Sequence, residues 1–419
     1  MAIHGLEIPD TPPRDVTDGY WLACIHCDVA LPPVADIAYT CPDCGGLLEV
    51  RYATVSPFET TGEEGVWRYS TVLPPVPSVT LDEGDTPLYE LPDVAADLGV
   101  AGLGVKHEGM NPTGSFKDRG MTVGVGVARE LGIERLVCAS TGNTAASLAA
   151  YGARGGMETL VLLPAGKVAA GKLAQASLHG ARILEVDGNF DACLEIVQSL
   201  ANDGGAYLLN SLNPFRLEGQ KTIGFEIVER SIDRHGAPPD RICLPVGNAG
   251  NTAALYKAFR ELVTAGALDR GDVPKLTAVQ AAGAAPFVEA VEAGESTVTG
   301  WETVETQATA IRIGYPVNAP KALPGIEATG GSAVAVDDGA IESAQRELAG
   351  AGIGVEPASA ASLAGLRRLC ERGDVDENER VVCLTTGHLL KDPDAASRAG
   401  RDPESVPADD DAVVDLLAE

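Results

Sequence analysis

The stretch Asn-Pro-Thr-Gly-Ser-Phe-Lys-Asp-Arg-Gly, residues 111–120, decides the fold prediction because it combines a break in extended structure with the start of a helix. Pro112 and Gly114 interrupt the preceding segment, and Ser115 can cap the helix that follows. Lys117 then falls in the first helical turn, near the positive end of the helix dipole. That field and burial both favour the neutral amine, which is the form that attacks an aldehyde. Because an isolated helical lysine is more often a solvated side chain, the interpretation depends on the segments around it.

Short apolar runs alternate with longer helical stretches from about residue 100 to residue 392. Near-continuous apolar strands joined by alanine-rich helices predict parallel sheets with helices on both faces. The pattern therefore predicts an α/β protein with enough strands for two sheets and enough length for two or three domains. Helices are predicted at residues 143–154, 190–201 and 340–348. Strands are predicted at residues 136–139, 160–163, 183–186, 207–209, 242–246, 276–280, 333–336 and 381–385.

Two cysteine pairs at CxxC spacing stand within the first 52 residues, with 13 residues between them. The chain lacks the features of a small secreted domain, so this spacing predicts a four-thiolate zinc ribbon with no open coordination position. A redox pair or four unrelated thiols are the alternatives. The other five cysteines lie mostly in apolar runs and are interpreted as small core residues. The predicted metal ligands are Cys24, Cys27, Cys41 and Cys44.

The charge balance is strongly acidic, with 60 acidic and 31 basic residues and a net charge of −29. Such a surface repels nucleic acid and anionic lipid. Only nine of the basic residues are lysines, and this composition suggests a surface adapted to high salt, where screening relieves self-repulsion. No apolar run has the length of a membrane helix, and the first ten residues do not resemble a secretory signal. We therefore expect a cytoplasmic protein.

Two polar segments that follow predicted strands have the character of anion sites. The hydroxyls and backbone N–H groups of residues 140–144 can hold a carboxylate at a helix N-terminus. Residues 245–252 form a glycine-rich loop whose successive N–H groups can make an anion nest. Either segment alone could be an ordinary strand-to-helix turn.

Two further segments add candidate side chains. Arg216 offers a guanidinium fork suited to phosphate, with the donors Asn210 and Ser211 a few residues before it. Thr385 and Thr386 end the last predicted strand, where alternation allows only one of the two to face inward. Taken alone, Arg216 could equally be a surface guanidinium.

Together with Lys-His-Glu-Gly at residues 106–109, the 111–120 segment resembles the cofactor-lysine segment of the threonine synthases. These enzymes belong to the tryptophan-synthase-β class that uses pyridoxal phosphate, and the resemblance covers about residues 85–392. It implies a two-domain, parallel-sheet pyridoxal-phosphate fold of type II behind a small zinc ribbon. The acidic composition resembles that of haloarchaeal proteins. The implied divisions are residues 1–52 for the ribbon, 53–121 with 206–392 for the large domain, and 122–205 for a small mobile α/β domain. Residues 393–419 are predicted to form an acidic, loop-like tail.

The resemblance also implies roles for individual residues. Lys117 is expected to carry the cofactor as a Schiff base and to be the catalytic base. Asn143 is expected to meet the cofactor's 3′-oxygen, and Thr386, with Thr385 as the alternative, its ring nitrogen. The residues expected at the cofactor phosphate are Gly247, Asn248, Ala249, Gly250 and Asn251. The residues expected at the substrate are Ser140, Thr141, Thr144, Asn210, Ser211, Arg216 and Asn248.

The expected reaction converts O-phospho-L-homoserine and water to L-threonine and phosphate in a homodimer. Lys117 would remove the α-proton of the substrate, and the released phosphate, held by Arg216, is a candidate to assist the addition of water. One alternative is another pyridoxal-phosphate enzyme, either a dehydratase acting on serine or threonine or a cysteate synthase acting on phosphoserine. A different class of alternative is a zinc-ribbon adaptor whose enzyme scaffold is inactive.

Overall fold

The computed structural model describes residues 19–27, 29–33, 38–55, 62–166, 170–400 and 403–408, so parts of the predicted ribbon and acidic tail lie outside the described residues. The strands are β1 (Tyr20–Cys24), β2 (Ala30–Leu31), β3 (Leu48–Tyr52), β4 (Leu88–Glu90), β5 (Gly102–His107), β6 (Arg135–Ala139), β7 (Glu158–Pro164), β8 (Arg182–Val186), β9 (Tyr207–Leu208), β10 (Arg241–Pro245), β11 (Lys275–Ala281), β12 (Ser332–Val336) and β13 (Arg380–Thr385). The α-helices are α1 (Pro92–Leu98), α2 (Lys117–Glu130), α3 (Asn143–Gly155), α4 (Ala170–Leu178), α5 (Phe190–Asn202), α6 (Pro214–His235), α7 (Gly250–Thr264), α8 (Pro286–Ala293), α9 (Ala319–Ala328), α10 (Asp338–Gly350), α11 (Pro357–Arg372) and α12 (Pro393–Ala399).

Two sheets carry the predicted α/β architecture. The larger has the strand order β12-β11-β10-β13-β5-β4 and is parallel except at its edge, where β4 pairs antiparallel with β5. The smaller has the order β8-β7-β6-β9 and is parallel throughout. All eight strands predicted from the apolar runs are present in these two sheets, and their ends differ from the prediction by at most two residues. The predicted fold class is therefore confirmed.

Burial on both faces accounts for the continuous apolar runs of the central strands. Strand β10 is buried at every residue, and its Cys243 lies in register with Cys383 of β13 in the core. A parallel sheet covered by helices on both sides requires such strands. Strands β5, β10 and β13 of the larger sheet and β6 of the smaller one end close to the segments that were predicted to bind ligands. The carboxyl ends of parallel strands are where open α/β sheets bind ligands.

The N-terminal sheet, of order β2-β1-β3, is antiparallel, and β3 fastens it to helices α6, α7 and α9. The ammonium groups of Lys257 on α7 and Lys321 on α9 donate to the backbone carbonyls of Val50 and Leu48. Tyr52 donates a 2.6 Å hydrogen bond to Glu218 on α6. Strand β3 therefore contacts three helices whose N-terminal ends approach the site described below.

Two local predictions were wrong. Helix α2 begins at Lys117 with Phe116 at its N-cap, and Ser115 makes no side-chain capping bond because it lies one residue too early and its backbone bridges Gly387. The stretch after residue 392, predicted as loop-like, contains the short helix α12. Asp392 explains this helix, because its carboxylate accepts a hydrogen bond from the N–H of Ala395 as an N-cap.

The described part of the chain contains no helix that combines the length and the apolar character required for crossing a bilayer.

Candidate active site

A cavity of about 470 Å³ lies where the ends of the strands meet. It is built from the loop before α2, the N-terminal ends of α3, α6 and α7, and the end of β13. Every residue predicted at the cofactor or substrate lines it. The structure therefore brings together Lys117, Ser140, Thr141, Asn143, Thr144, Asn210, Ser211, Arg216, Gly247, Asn248, Ala249, Gly250, Asn251 and Thr386.

Lys117 is the first residue of α2, and its ammonium nitrogen lies 3.9 Å from the ring centroid of Phe116. Removal from water, reinforced by the positive charge of Arg216, lowers the pKa of Lys117 to about 7, while Glu356 opposes the shift. A lysine with this pKa is about half neutral at neutral pH. The predicted neutral amine therefore has a physical cause in the structure.

The residue after Lys117 fixes the first turn of α2. The carboxylate of Asp118 accepts hydrogen bonds from the backbone and hydroxyl of Thr113, at 2.7 and 2.6 Å, and from Ser147 on α3. Burial raises the pKa of Asp118 to about 6 even though these hydrogen bonds lower it. Arg119, fully buried, pairs with Glu108 and Glu226. These contacts hold the backbone of Lys117 without using its amine.

The glycine-rich loop turns from β10 into α7, so the N-terminus of a 15-residue helix faces the cavity. Ala249 has φ of 58°, a left-handed conformation uncommon for a residue with a side chain. A Cβ at Gly247 would lie 3.2 Å from the carbonyl oxygen of Ala310, so the loop is closely packed from outside. Asn251 accepts a 2.8 Å hydrogen bond from Gln220 on α6. This geometry directs backbone donors toward an anion.

Asn143 begins α3, and its side-chain amide donates to both carboxylate oxygens of Glu356, at 3.2 and 3.1 Å. Burial raises the pKa of Glu356, while Asn143 and nearby cations lower it less. A Cβ at Gly387 would come within 2.5 Å of this carboxylate, so only glycine leaves it room. The contact orients the Asn143 amide at the cavity wall.

The two threonines at the end of β13 point to different surroundings, as strand alternation requires. Thr386 lines the cavity, and its hydroxyl lies 3.0 Å from the hydroxyl of Ser359. Thr385 is fully buried, where its hydroxyl contacts the carbonyl oxygen of Lys106 and the ring of His107. Of the pair, Thr386 is thus the one placed at the cavity.

Arg216 is the strongest anion-binding candidate in the cavity. It lies in the first turn of α6, it is only 2% exposed, and its Nε has no hydrogen-bond partner among the described residues. Burial lowers the pKa of Arg216 to about 10, which Cys138 opposes. A buried guanidinium without a carboxylate is costly unless a ligand supplies the negative charge.

Asn210 and Ser211, in the turn before α6, contribute to the site in different ways. Both polar atoms of the Asn210 side chain are bonded at 2.9 Å to the backbone of Ala139, so this side chain ties the loop to β6. The carbonyl of Ser211 accepts a 3.0 Å hydrogen bond from Asn318.

Several residues that line the cavity had no role in the sequence prediction. Gln220 could have been found, because it stands four residues after Arg216 on the same helical face. Asn318 and the wall at 309–313 come from a distant part of the chain without a recognisable motif. The cavity-lining residues without a predicted role include Phe190, Gln220, Thr309, Ala310, Ile311, Arg312, Ile313, Asn318, Glu356, Lys391 and Asp394.

The four N-terminal cysteines are brought together as predicted. Their sulfur atoms all lie within 4.8 Å of one another, and the shorter separations are 3.5 to 3.6 Å. Four thiolates around a tetrahedral zinc ion at 2.3 Å would be separated by about 3.8 Å. A Cβ at Gly46 would lie 3.0 Å from the sulfur of Cys24, so the turn needs glycine there. The donor set and spacing fit a zinc ion.

Comparisons with known proteins place the chain in an enzyme family. Residues 79–387 match the family described as pyridoxal-phosphate dependent enzyme. The chain belongs to this family.

Similar proteins indicate which enzymes of this family the chain resembles. It is 52% identical over 405 residues to a threonine synthase of Methanosarcina acetivorans, covering 95% of this chain and 98% of the relative. It is also 52% identical over 407 residues to a threonine synthase of Methanocaldococcus jannaschii, covering 94% and 99% of the two chains. A threonine synthase of Mycobacterium leprae is 48% identical and covers 81% of this chain and 91% of the relative. The chain is therefore a member of the threonine synthase family.

Solved structures share the fold at lower identity. Diaminopropionate ammonia lyase from Escherichia coli superposes with a TM-score of 0.66 at 16% identity, covering 83% of this chain and 95% of that chain. A threonine deaminase from Solanum lycopersicum gives 0.63 at 22% identity, covering 75% and 88%. At these identities the likeness concerns the fold alone.

Proposed function

We propose that this protein converts O-phospho-L-homoserine and water to L-threonine and phosphate, with pyridoxal phosphate as its cofactor. The observation that carries the proposal is the composition of one cavity. It holds a lysine whose pKa is lowered to about 7, a loop of backbone donors at a helix N-terminus, and a separate buried arginine with an unpartnered Nε. Two phosphates, one from the cofactor and one from the substrate, require two such anion sites in addition to the base.

The residues that fit the cofactor are those at the cavity wall. Lys117 would bond to its aldehyde carbon, residues 247–251 would hold its phosphate, and Asn143 would meet its 3′-oxygen. Thr386 would face its ring nitrogen, where a hydroxyl does not hold that nitrogen protonated as a carboxylate would. When bound, pyridoxal phosphate supplies an electron sink that stabilises negative charge developing next to the amino group of the substrate.

Lys117 is the residue that moves protons. Because burial and Arg216 keep its pKa near 7, its amine has a lone pair available at neutral pH and can still accept a proton. It would remove the α-proton of the substrate and return a proton later in the reaction. Asp118 and Arg119 keep the first turn of α2 in place, so the amine moves by rotation of its side chain alone.

Arg216 would hold the substrate phosphate and stabilise the charge on it as the carbon–oxygen bond breaks. Thr144, Asn210, Ser211 and Asn248 complete the proposed phosphate site. The hydroxyls of Ser140 and Thr141, at the N-terminus of α3, would hold the substrate carboxylate. Holding both ends of the substrate places its α-carbon near Lys117.

The direct test is a titration of the holoenzyme with O-phosphohomoserine, in which threonine and free phosphate are assayed in the same sample. We expect both products in equal amounts. Phosphoserine, serine and threonine serve as parallel substrates. Release of phosphate from phosphoserine but not from phosphohomoserine would contradict the proposal, and so would a purified protein that binds no pyridoxal phosphate.

We also propose that Cys24, Cys27, Cys41 and Cys44 bind a structural zinc ion. Four thiolates leave no coordination position open, so the ion would act in folding and not in the reaction. Metal analysis of purified protein should give about one zinc per chain. Cys27→Ser should lose the metal, whereas Cys370→Ser, at a cysteine away from the cluster, should retain it. Equal metal content in the two variants would refute the assignment.

The remaining expectations concern assembly and environment. We propose a cytoplasmic homodimer that binds neither nucleic acid nor membrane and is adapted to high salt, in which a small domain at 122–205 moves against the large one. The net charge of −29 supports the salt adaptation. Light scattering measures the assembly, and unfolding at increasing KCl measures the adaptation. Full stability in dilute buffer would contradict the latter.

A further inference from the structure

One wall of the cavity comes from the 3-10 helix Thr309–Ile311 and the two residues after it. This wall packs against the phosphate-binding loop, since a Cβ at Gly247 would lie 3.2 Å from the carbonyl oxygen of Ala310 and 3.3 Å from the Cα of Ile311. The hydroxyl of Thr309 also donates a 3.3 Å hydrogen bond to Asp392. The wall is thus held on two sides, and its side chains have a defined position relative to the cavity.

Arg312 extends this wall and differs from the other cations that line the cavity. Lys117 and Arg216 are removed from solvent, and Lys391 donates to Gln175 and to the carbonyl of Thr113. Arg312 is exposed, and no carboxylate of the described residues lies within 4.0 Å of its guanidinium. Its donors are therefore available to a molecule that approaches from solvent.

An unpaired cation at this position has a physical consequence in a chain with a net charge of −29. The overall field opposes the approach of a phosphate ester with two negative charges. A cation at the opening of a low-dielectric cavity reverses that field locally and raises the rate of encounter. A guanidinium also matches two phosphate oxygens with a planar fork, which gives selectivity for phosphate over a neutral group.

We propose that Arg312 is a second phosphate-recognition residue, which captures the phosphate of an amino-acid phosphate ester at the cavity opening before Arg216 holds it inside. This inference rests on the proposed function, because it assigns a specificity role for the same substrate class. Arg312 acts on association and selectivity, and Arg216 acts on the bound state. The same guanidinium also contacts the phosphate that leaves.

The test compares Arg312→Gln, Arg312→Lys and the control Arg368→Gln. Arg368 is exposed on α11 and does not line the cavity, so it reproduces the change in net charge without the change in position. At low ionic strength we expect Arg312→Gln to lower kcat/KM for O-phosphohomoserine by about tenfold with little change in kcat. Arg312→Lys should retain most of the activity, and Arg368→Gln should match the wild type. The deficit of Arg312→Gln should shrink as salt is raised, over the range in which circular dichroism shows the protein folded.

Binding of inorganic phosphate, measured by calorimetry on the holoenzyme, gives a second readout that needs no turnover. Arg312→Gln should weaken it by a similar factor. If wild-type protein makes no threonine, the proposed function fails, while the phosphate titration still tests Arg312. Wild-type kcat/KM and wild-type phosphate affinity in Arg312→Gln would overturn the inference. A loss confined to kcat in both Arg312 variants would overturn it as well, because it would mean that the wall is only structural.

Discussion

Two groups of buried charges in this protein stand in contrast. The anchoring cluster between β3 and helices α6 and α7 consists of Glu49, Glu218, Lys221, Lys257, Arg260 and Glu261. In it every cation has a carboxylate within 3.0 Å, for example Lys257 with Glu261 at 2.9 Å. In the cavity, Lys117 and Arg216 form no ion pair with any described residue.

The direction of the pKa shift in a buried cation depends on whether nearby carboxylates outweigh the effect of burial. Burial acts to lower the pKa of Lys257, but Glu218 and Glu261 outweigh it and the pKa rises. Burial lowers the pKa of Lys117 to about 7, which Glu356 opposes without outweighing it, and that of Arg216 to about 10, where no carboxylate opposes the shift. Lys321 resembles the cavity residues in this respect, since its ammonium group donates to a backbone carbonyl and burial lowers its pKa to about 8.

The contrast shows that lysine and arginine stabilise the fold in the anchoring cluster, where carboxylates pair with them, and serve chemistry in the cavity, where they are unpaired. In the anchoring cluster, the paired charges fasten the N-terminal sheet to α6 and α7. The unpaired charges of the cavity are a cost to the folded chain that a ligand with negative charge would offset. Each variant below changes one side of this comparison.

The largest effect is expected from Lys117→Ala. Without the amine, the base and the cofactor bond are both lost, so the rate of threonine formation should fall by about 10³-fold or more. Thermal unfolding of the cofactor-free protein should change little. Lys275→Ala, at a lysine near the surface, is the control and should keep its activity. A Lys117→Ala enzyme with wild-type activity would end the assignment.

Glu261→Gln tests the paired charges of the anchoring cluster. It removes a fully buried carboxylate that contacts Lys221 and Lys257, leaving both with less compensation. The free energy of unfolding should drop by about 3–5 kcal/mol, measured by urea denaturation. The control Glu347→Gln removes a partly exposed partner of Arg367 and should cost about 1 kcal/mol or less. Equal costs for the two variants would mean that the cluster is not the anchor described above.

Arg216→Met tests the unpaired charges of the cavity. We expect it to raise the free energy of unfolding, whereas Glu261→Gln lowers it. The ligand-free protein should be stabilised by about 1 kcal/mol, because a buried charge without a partner is replaced by an apolar side chain. At the same time kcat/KM for the phosphate substrate should fall by about 10²-fold. Arg241→Met, at a buried arginine paired with Glu379, should instead destabilise the protein by about 3 kcal/mol or more. Destabilisation in both variants would show that Arg216 has a hidden structural partner.

The smallest expected effect is a shift in the pH dependence of cofactor uptake. Because the neutral form of Lys117 condenses with the aldehyde, the rate at which cofactor-free protein takes up pyridoxal phosphate should rise with pH through about 7 and then level off. Arg216 contributes to the lowered pKa of Lys117, so in Arg216→Met the midpoint should move to higher pH. Stopped-flow absorbance measures both midpoints. A midpoint that Arg216→Met leaves unchanged would remove the electrostatic link between the two residues.

Much of this arrangement could be predicted from sequence because it is local. The strands follow from apolar runs, and the residues placed at the cavity follow strands or begin helices, which are positions that can be recognised without tertiary structure. Capping at Ser115 failed because a helix start is uncertain by a residue and Asp118 makes the hydrogen bonds that fix the turn. The wall at 309–313 and Asn318 could not be predicted, since only folding brings a motif-free stretch against Gly247 and Ser211.

The anchoring cluster could not be predicted from the sequence either. Its carboxylates and cations lie on β3, α6 and α7, separated by up to about 210 positions in the chain. In the sequence, each has the pattern of an ordinary, solvated charged residue. Pairing in three dimensions gives them their role. The short spacings within α6 and α7, such as Lys257 with Glu261, are the part that helix periodicity indicates.

The most direct test of the account is to reduce the holoenzyme with borohydride and to map the labelled peptide. The reaction fixes the cofactor on whichever amine carries it. If the low pKa of Lys117 reflects its role, the pyridoxyl group will be found on Lys117 and will be missing from Lys117→Ala treated in the same way. A label on another lysine, or none on any peptide, would contradict the claim on which the rest depends.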